Sequence, residues 1–247
     1  MKPRPIQRRK IHEDVAAQIE EMIASGEVAE GDQLPSEREL MEGFGVGRPA
    51  VREALLSLQK MGLVALSSGE RARVVRPTVE ALVGQLSGAA RHLLGRPDGI
   101  REFQDARRVF EAAIARRAAE RVTEVGIERL TRALEANEAA LGSMPDFERT
   151  DVAFHLVLAE LSGNSIFVAL HHAIVEWLTK QRTVSLRNPG ADGHAFDSHR
   201  RIRDAVAAHD PEGAWRAMDE HLAVVNKLYW QGLETETSDE RRLRHSG

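Results

Sequence analysis

The sequence of 247 residues contains no cysteine, which excludes a disulfide framework and a thiolate metal site. It also lacks a long apolar run, so no segment is predicted to span a membrane. The basic start, Met1 to Lys10, is not followed by the apolar core of a secretory signal. Internal repeats and low-complexity tracts are missing as well. We therefore expect a globular protein of the cytoplasm, a reducing compartment.

A surplus of positive charge, which would indicate nucleic-acid binding by itself, is also missing: the formal net charge is −4. The distribution says more, because residues 1–76 carry 12 Lys/Arg and 12 Asp/Glu and the acidic excess lies beyond them. Within residues 1–10 five cations stand without an acid. This segment is either an arm that contacts phosphates or a solvated, flexible tail.

Composition changes near Arg76-Pro77, where proline disfavours a continuing helix. Before this point the pattern predicts helices at 11–25, 36–43 and 48–60 and a hairpin with strands at 63–66 and 71–75. That order is typical of a winged helix-turn-helix. Beyond it the helices are predicted at 79–94, 100–121, 124–141, 147–161, 165–185, 195–209 and 211–231.

The predicted fold class is therefore mainly α, with a winged helix-turn-helix followed by an all-α bundle. We predict four parts in the chain: a flexible basic arm at 1–10, a winged helix-turn-helix at 11–76, a helical domain at 77–232 and a flexible tail at 233–247.

Several arginines of the first region lie where a DNA-binding motif needs them. Arg48 and Arg52 stand four apart at the start of the third helix, so they share one face. Pro49 suits a first helical turn, and arginine can grip guanine with two hydrogen bonds. Arg38 precedes them on the second helix, within reach of a phosphate. Each of these side chains taken alone is equally compatible with an ordinary surface charge.

The predicted wing adds two more cations. Arg71 and Arg73 alternate with Ala72 and Val74, so one face of the hairpin is expected to be cationic. Placed on the groove side of one motif, the cations of helices and wing together favour DNA binding.

Two stretches of the first region resemble the signature of GntR-type regulators. They read LPSEREL from Leu34 and GVGRPAVREAL from Gly45. The resemblance implies DNA contacts by Arg38, Arg48, Arg52 and the wing-tip glycine, Gly69. Gly47 stands where the family usually has serine, and the sequence GERAR from Gly69 replaces the usual Gly-x-Gly of the wing.

Four polar residues of the helical region occupy inward positions. Asp151 and His155 lie four apart on one predicted helix, and His199 and His221 lie on the apolar sides of two later helices. Imidazoles and a carboxylate that converge from rigid helices can bind a divalent metal. A set of core histidines, or a simple Asp–His pair, would give the same pattern.

The helical region resembles the FCD ligand-binding domain of the FadR-like branch of these regulators, through Asp105-Ala106-Arg107, Asp151-x-x-x-His155 and Ser162-Gly163-Asn164. The resemblance implies a metal bound by Asp151, His155, His199 and His221, with zinc favoured over nickel or manganese. It also implies a carboxylate effector, for which we predict contacts from Arg107 and Asn164. A salt bridge to Glu111 is the alternative for Arg107.

The sequences GERARV from Gly69, QLSG from Gln85 and RTDVAFH from Arg149 are similar to those of a sialic-acid-responsive subgroup of this branch. This resemblance implies N-acetylneuraminate as the effector. We therefore predict a homodimeric repressor of double-stranded operator DNA, without catalytic activity or membrane contact. The alternatives are the same fold with another acid, a metal-dependent enzyme with Glu160 or Glu176 as general base, or a DNA-architectural module without a ligand.

Overall fold

The structure, a computed structural model, describes the backbone of residues 10–245 and the side chains of residues 10–235 except Glu80 and Leu82. Nine of the ten residues of the predicted basic arm, 1–9, lie outside the described residues. The described chain divides after Gln85 into two compact units, whereas the change in composition placed the boundary after Arg76. Among the described residues no helix combines the length and the apolar character needed to cross a bilayer.

The amino-terminal unit is a winged helix-turn-helix, as predicted. Its elements in chain order are α1 (Ile11–Ala24), α2 (Glu37–Phe44), α3 (Arg48–Lys60), β1 (Val64–Ala65), β2 (Arg73–Val74) and α4 (Val79–Gly84). A core of buried side chains joins helices and wing, among them Ile19, Leu34, Val51, Leu58 and Val74.

Local interactions fix where α2 and α3 begin and end. The Ser36 hydroxyl accepts from the Glu39 backbone N–H, and the Glu39 carboxylate accepts from the Ser36 N–H at 2.7 Å, which completes a capping box. Gly45, with a φ of +64°, ends α2 in the left-handed conformation that glycine tolerates best. Pro49 lies in the first turn of α3, where its missing N–H costs no helical hydrogen bond.

The wing is a short antiparallel hairpin in which Val64 pairs with Val74 and Ala65 with Arg73. Its strands are shorter than the predicted 63–66 and 71–75. The alternation of faces is as predicted, because Ala72 and Val74 are buried whereas the arginines at 71 and 73 are exposed.

The second unit is all-helical. Its elements are α5 (Ser87–Leu94), α6 (Gly99–Arg121), α7 (Glu124–Ala139), α8 (Met144–Leu161), α9 (Ser165–Trp177), α10 (Thr179–Leu186), α11 (Ala191–Ala207) and α12 (Pro211–His245). Helix α6 packs along α12, α11 contacts both α7 and α12, and α8 packs on α6 and α7. The core between them contains Phe154, Leu158, Ile202 and Leu222.

Three helix predictions need correction. The predicted helix 79–94 is interrupted between α4 and α5, where Gly84 and Gly88 flank the break and weaken the helix. The predicted helix 165–185 is divided at Leu178, where the Thr179 hydroxyl donates to the carbonyls of Val175 and Glu176. Helix α12 continues to His245, through the segment for which the sequence predicted a flexible tail.

Candidate DNA-binding surface and metal centre

The first turns of α3 present two arginines to solvent. The side chains of Arg48 and Arg52 are 67% and 65% exposed. Both approach Glu37 at the start of α2, with Arg48 Nε 2.8 Å from one carboxylate oxygen and Arg52 Nε 3.6 Å from the other. Glu37 therefore holds the two guanidinium groups side by side on the exposed face.

These arginines line a concave surface between α2, α3 and the wing. Arg71 lies on the same surface, with its guanidinium 3.8 Å from Glu39. Gly69 forms part of the rim at the tip of the hairpin, where its φ of +81° suits a residue without Cβ. The structure therefore brings Arg48, Arg52, Gly69 and Arg71 together.

The remaining predicted DNA-binding residues, Arg38, Pro49 and Arg73, are not among those that line this concave surface. Pro49 is exposed at the start of α3, and Arg38 is exposed and paired with Glu42 at 3.6 Å. Arg73 is turned back onto its own unit, since its guanidinium donates to the Gly31 carbonyl. The segment before α2 runs beside β2, with Gln33 next to Arg73, and this places the Gly31 carbonyl within reach of the Arg73 side chain.

The second unit brings four potential metal ligands together. Asp151 and His155 come from α8, His199 from α11 and His221 from α12. One ligand atom from each lies within 4.8 Å of the others, and all four residues are buried. We call Asp151, His155, His199 and His221 the metal group. The i, i+4 spacing on α8 places Asp151 and His155 on one face, but only tertiary packing adds the other two.

Neighbouring polar groups orient two of these imidazoles. His199 Nδ1 lies 2.9 Å from Asn137 Oδ1, and Asn137 in turn donates to the Thr150 hydroxyl at 3.0 Å. His155 Nδ1 lies 2.5 Å from Glu111 Oε2. Within the described part of the chain, both ring nitrogens of His155 and Nε2 of His199 are buried without a hydrogen bond. The Glu111 contact of His155 Nδ1 is therefore an ion-pair contact, as is the 3.5 Å approach of His199 Nε2 to Asp151 Oδ1. A buried, unpaired imidazole nitrogen is costly unless something binds it.

The electrostatics of the metal group suit metal binding. Burial lowers the pKa of His199 to about 3, and burial together with the neighbouring His199 holds the pKa of His221 well below its usual range. Both imidazoles are therefore neutral at pH 7, which is the form that coordinates metals. Three imidazoles and one carboxylate fit zinc, and they also accept nickel or manganese.

Arg107 forms the salt bridge that the sequence offered as an alternative. Its Nε donates to Glu111 Oε1 at 2.7 Å, and both side chains are buried on α6. Burial would raise the pKa of Glu111, but the guanidinium of Arg107 and then His155 hold it well below its usual range. Glu111 is therefore a buried carboxylate anion that contacts both Arg107 and a member of the metal group.

Arg107 also lines a small cavity next to the metal group, together with Asp151, His221, Arg182 and Ser185. The cavity volume is about 20 Å³, which is room for a single water molecule. Arg182, from α10, is buried with its Nε 3.6 Å from Asp151 Oδ2. Burial, and next the repulsion from Arg107, lower the pKa of Arg182. Arg107 and Arg182 each face one carboxylate, and the further N–H groups of their guanidinium groups suit an anionic ligand in the cavity.

Sequence reasoning missed Arg182 and His171. Arg182 lies on the buried side of α10, between the buried residues Leu178 and Ser185. Its position among inward-facing residues is the sequence feature that could have identified it. His171 on α9 is buried, its Nε2 has no hydrogen-bond partner among the described residues, and its ring centroid lies 6.4 Å from that of His155. Its sequence neighbours gave no comparable signal.

Asn164 does not reach this cavity. Its side chain accepts from the Ile166 backbone N–H at 3.0 Å and caps α9. The carboxylates considered as general bases are also placed elsewhere, because Glu176 is exposed and Glu160 pairs with Arg129 near the surface.

A winged helix-turn-helix whose third helix exposes arginines is the arrangement of proteins that read DNA in the major groove. The amino-terminal unit is thus that of a DNA-binding protein. Residues 11–74 match the model of the gntR family of bacterial regulatory proteins, and residues 102–224 match that of the FCD domain. The chain belongs to the GntR family, with an FCD domain as its helical part, and both resemblances are confirmed.

Relatives support this assignment along most of the chain. It is 45% identical over 235 residues to the HTH-type transcriptional repressor NanR of Cronobacter sakazakii, covering 93% of this chain and 89% of that protein. It is 44% identical over 232 residues to NanR of Escherichia coli, with 93% and 88% covered. The solved Streptococcus agalactiae GntR shares 25% identity at a TM-score of 0.60, covering 87% of this chain and 99% of that one. The chain is thus a transcriptional repressor of the GntR type.

Proposed function

We propose that this chain is a cytoplasmic, homodimeric repressor that binds an operator through its amino-terminal units and an organic acid through its helical units. We further propose that the acid is N-acetylneuraminate. The sugar acid follows from the resemblance to the sialic-acid-responsive subgroup, and the curated relatives carry the name of a repressor.

For DNA binding we propose that Arg48 and Arg52 read base edges from the major groove, with Pro49 fixing the start of α3. Arg38, Arg71 and Gly69 would contact the backbone and the adjacent groove. In a homodimer two such units would address two half-sites related by the symmetry of the protein. Arg73 is left out of this set, because its guanidinium already donates to Gly31.

For effector binding we propose a divalent metal, favouring zinc, held by the metal group. The buried Nε2 atoms of His155 and His199 carry this proposal, because neither has a hydrogen-bond partner among the described residues. A bound metal would act as a Lewis acid with open positions for carboxylate oxygens. Arg107 and Arg182 would supply charge-assisted hydrogen bonds to the rest of an anion.

The small cavity gives a reason why such a ligand would change the protein. A space for one water molecule cannot admit a sugar acid unless the surrounding side chains or helices move. Binding would therefore favour a more open arrangement over the one described here. A tenfold change in operator affinity requires the acid to favour one arrangement by about 1.4 kcal/mol.

The test starts from an operator selected from random duplex DNA by the purified full chain. Gel-shift affinities would then be compared for zinc-loaded and chelated protein, each with N-acetylneuraminate, lactate or no acid. We expect N-acetylneuraminate to change the affinity of the zinc-loaded protein at least tenfold. An operator affinity that neither acid changes would refute the sensing role. A response to lactate alone would identify lactate, and not N-acetylneuraminate, as the ligand.

Two variants locate the response. His155→Ala is expected to lower the metal content and abolish the response to acid while operator binding persists. His172→Ala, at an exposed position of α9, is the matched control and should behave like the wild type. Sedimentation of the free protein as a monomer at micromolar concentration would contradict the homodimer.

A further inference from the structure

Glu111 lies outside the metal group and contacts both His155, a member of that group, and Arg107, a cation of the cavity. We infer that Glu111 is a positioning residue that couples the metal to the acid, an inference that rests on the function proposed above. It acts through His155 on one side and through Arg107 on the other.

The two carboxylate oxygens of Glu111 contact different partners. Oε2 lies 2.5 Å from His155 Nδ1, and Oε1 accepts from Arg107 Nε at 2.7 Å. The side chain is 3% exposed, so water does not compete for either oxygen. A change in what Arg107 binds therefore changes the field that the carboxylate exerts on His155.

The direction of the effect follows from charge. Without an acid, the carboxylate of Glu111 is shared between a guanidinium and an imidazole. An anion bound to Arg107 accepts hydrogen bonds from its guanidinium and weakens the attraction between Arg107 and Glu111. The negative charge of Glu111 then acts more strongly on His155 Nδ1. A carboxylate on the far nitrogen of a ligating histidine raises the basicity of the other nitrogen. The acid then tightens metal binding, and by reciprocity the metal tightens acid binding by the same factor.

Asn137 provides the internal comparison. It also orients a member of the metal group, through the contact of 2.9 Å with His199 Nδ1. However, its amide is neutral, and its amide nitrogen donates to the Thr150 hydroxyl instead of contacting an arginine. The partner of His199 should therefore stabilise the metal without responding to the acid.

The experiment measures zinc affinity of the full chain by competition with a chelator, with and without N-acetylneuraminate, for wild type, Glu111→Gln and Asn137→Ala. Glutamine keeps the shape but loses the charge, and its single oxygen can serve only one of the two donors. Glu111→Gln is expected to weaken zinc binding about 10- to 100-fold. It should also reduce, at least threefold, the factor by which the acid tightens zinc. Asn137→Ala should weaken zinc binding but keep that factor, which a general loss of structure would not do.

Glu111→Asp is the second variant in case the glutamine protein does not fold. It keeps the charge, but its shorter side chain reaches only one partner, so the acid-dependent factor should again fall. If a folded Glu111 variant keeps the wild-type factor by which the acid tightens zinc binding, this inference is overturned but the proposed function is not. A wild type that binds no zinc, or whose zinc affinity ignores the acid, would overturn the proposed function and the inference together.

Discussion

The arginines of the two units differ in how far water reaches them and in what holds them. Arg48 and Arg52 on α3 are mostly exposed and share the partly exposed Glu37. Arg107 and Arg182 in the helical unit are 8% and 5% exposed and face Glu111 and Asp151. The first pair remains available to an outside polyanion, whereas the second pair is available only to a ligand that enters the protein.

This difference in exposure predicts whether a substitution changes mainly the free energy of DNA binding or the free energy of unfolding. Exposed ion pairs are screened by water and contribute little to folding, so replacing the arginines of α3 should affect DNA binding and leave stability nearly unchanged. Breaking a buried pair leaves a charge without a partner in a medium of low polarity. Replacing the arginines of the helical unit should therefore reduce the stability of the fold.

The largest effect is expected from Arg107→Leu, which leaves Glu111 buried without its guanidinium. We expect the free energy of unfolding to fall by about 3–5 kcal/mol, measured by urea denaturation of the chelated protein. Arg48→Leu, the matched change on the exposed face, should alter it by about 0.5 kcal/mol or less. Equal losses of unfolding free energy in the two variants would contradict the proposed difference between buried and exposed arginines.

Metal binding should give the next largest effect. At a free zinc concentration 100 times the dissociation constant, the ion stabilises the folded chain by about 2.7 kcal/mol. His199→Ala should abolish this difference between zinc-loaded and chelated protein in thermal unfolding, whereas Arg52→Ala should retain it. Stabilisation that survives in His199→Ala would place the ion outside the metal group.

Local sequence patterns predicted the elements of the amino-terminal unit well, because short-range interactions define them. The capping box of Ser36 and Glu39, the glycine at 45 and the proline at 49 mark the limits of α2 and α3. The break between α9 and α10 was missed because it consists of a change in the backbone of one residue, Leu178, with a φ of −105° and a ψ of 17°, which the helical periodicity does not reveal.

The metal group was predicted from inward positions and a family resemblance, but its surroundings were not. The spacing of Arg107 and Glu111 indicated an ion pair, yet the contact between Glu111 and His155 joins two helices that lie far apart in sequence. Arg182 was missed for a similar reason, since an isolated arginine in a helical pattern normally indicates solvent. Such contacts depend on tertiary packing.

A smaller effect, on DNA binding alone, is expected from Arg52→Ala. Loss of a bidentate base contact should weaken binding to the selected operator by about 1–3 kcal/mol and relax the preference at one base pair. The stability and zinc content of the variant should match those of the wild type. An operator affinity within twofold of the wild type would contradict the assignment of α3 to the groove.

The smallest effects distinguish the two arginines of the wing. Arg71 lines the concave surface, whereas the guanidinium of Arg73 donates to the Gly31 carbonyl. Arg71→Ala should weaken operator binding and reduce the slope of log affinity against log salt by about 1, because one phosphate contact is lost. Arg73→Ala should leave that slope unchanged and lower the free energy of unfolding by about 0.5–1.5 kcal/mol. The reverse outcome, with Arg73 setting the salt dependence, would mean that its bond to Gly31 opens when DNA binds and that the cationic face predicted from the alternating sequence forms only on the operator.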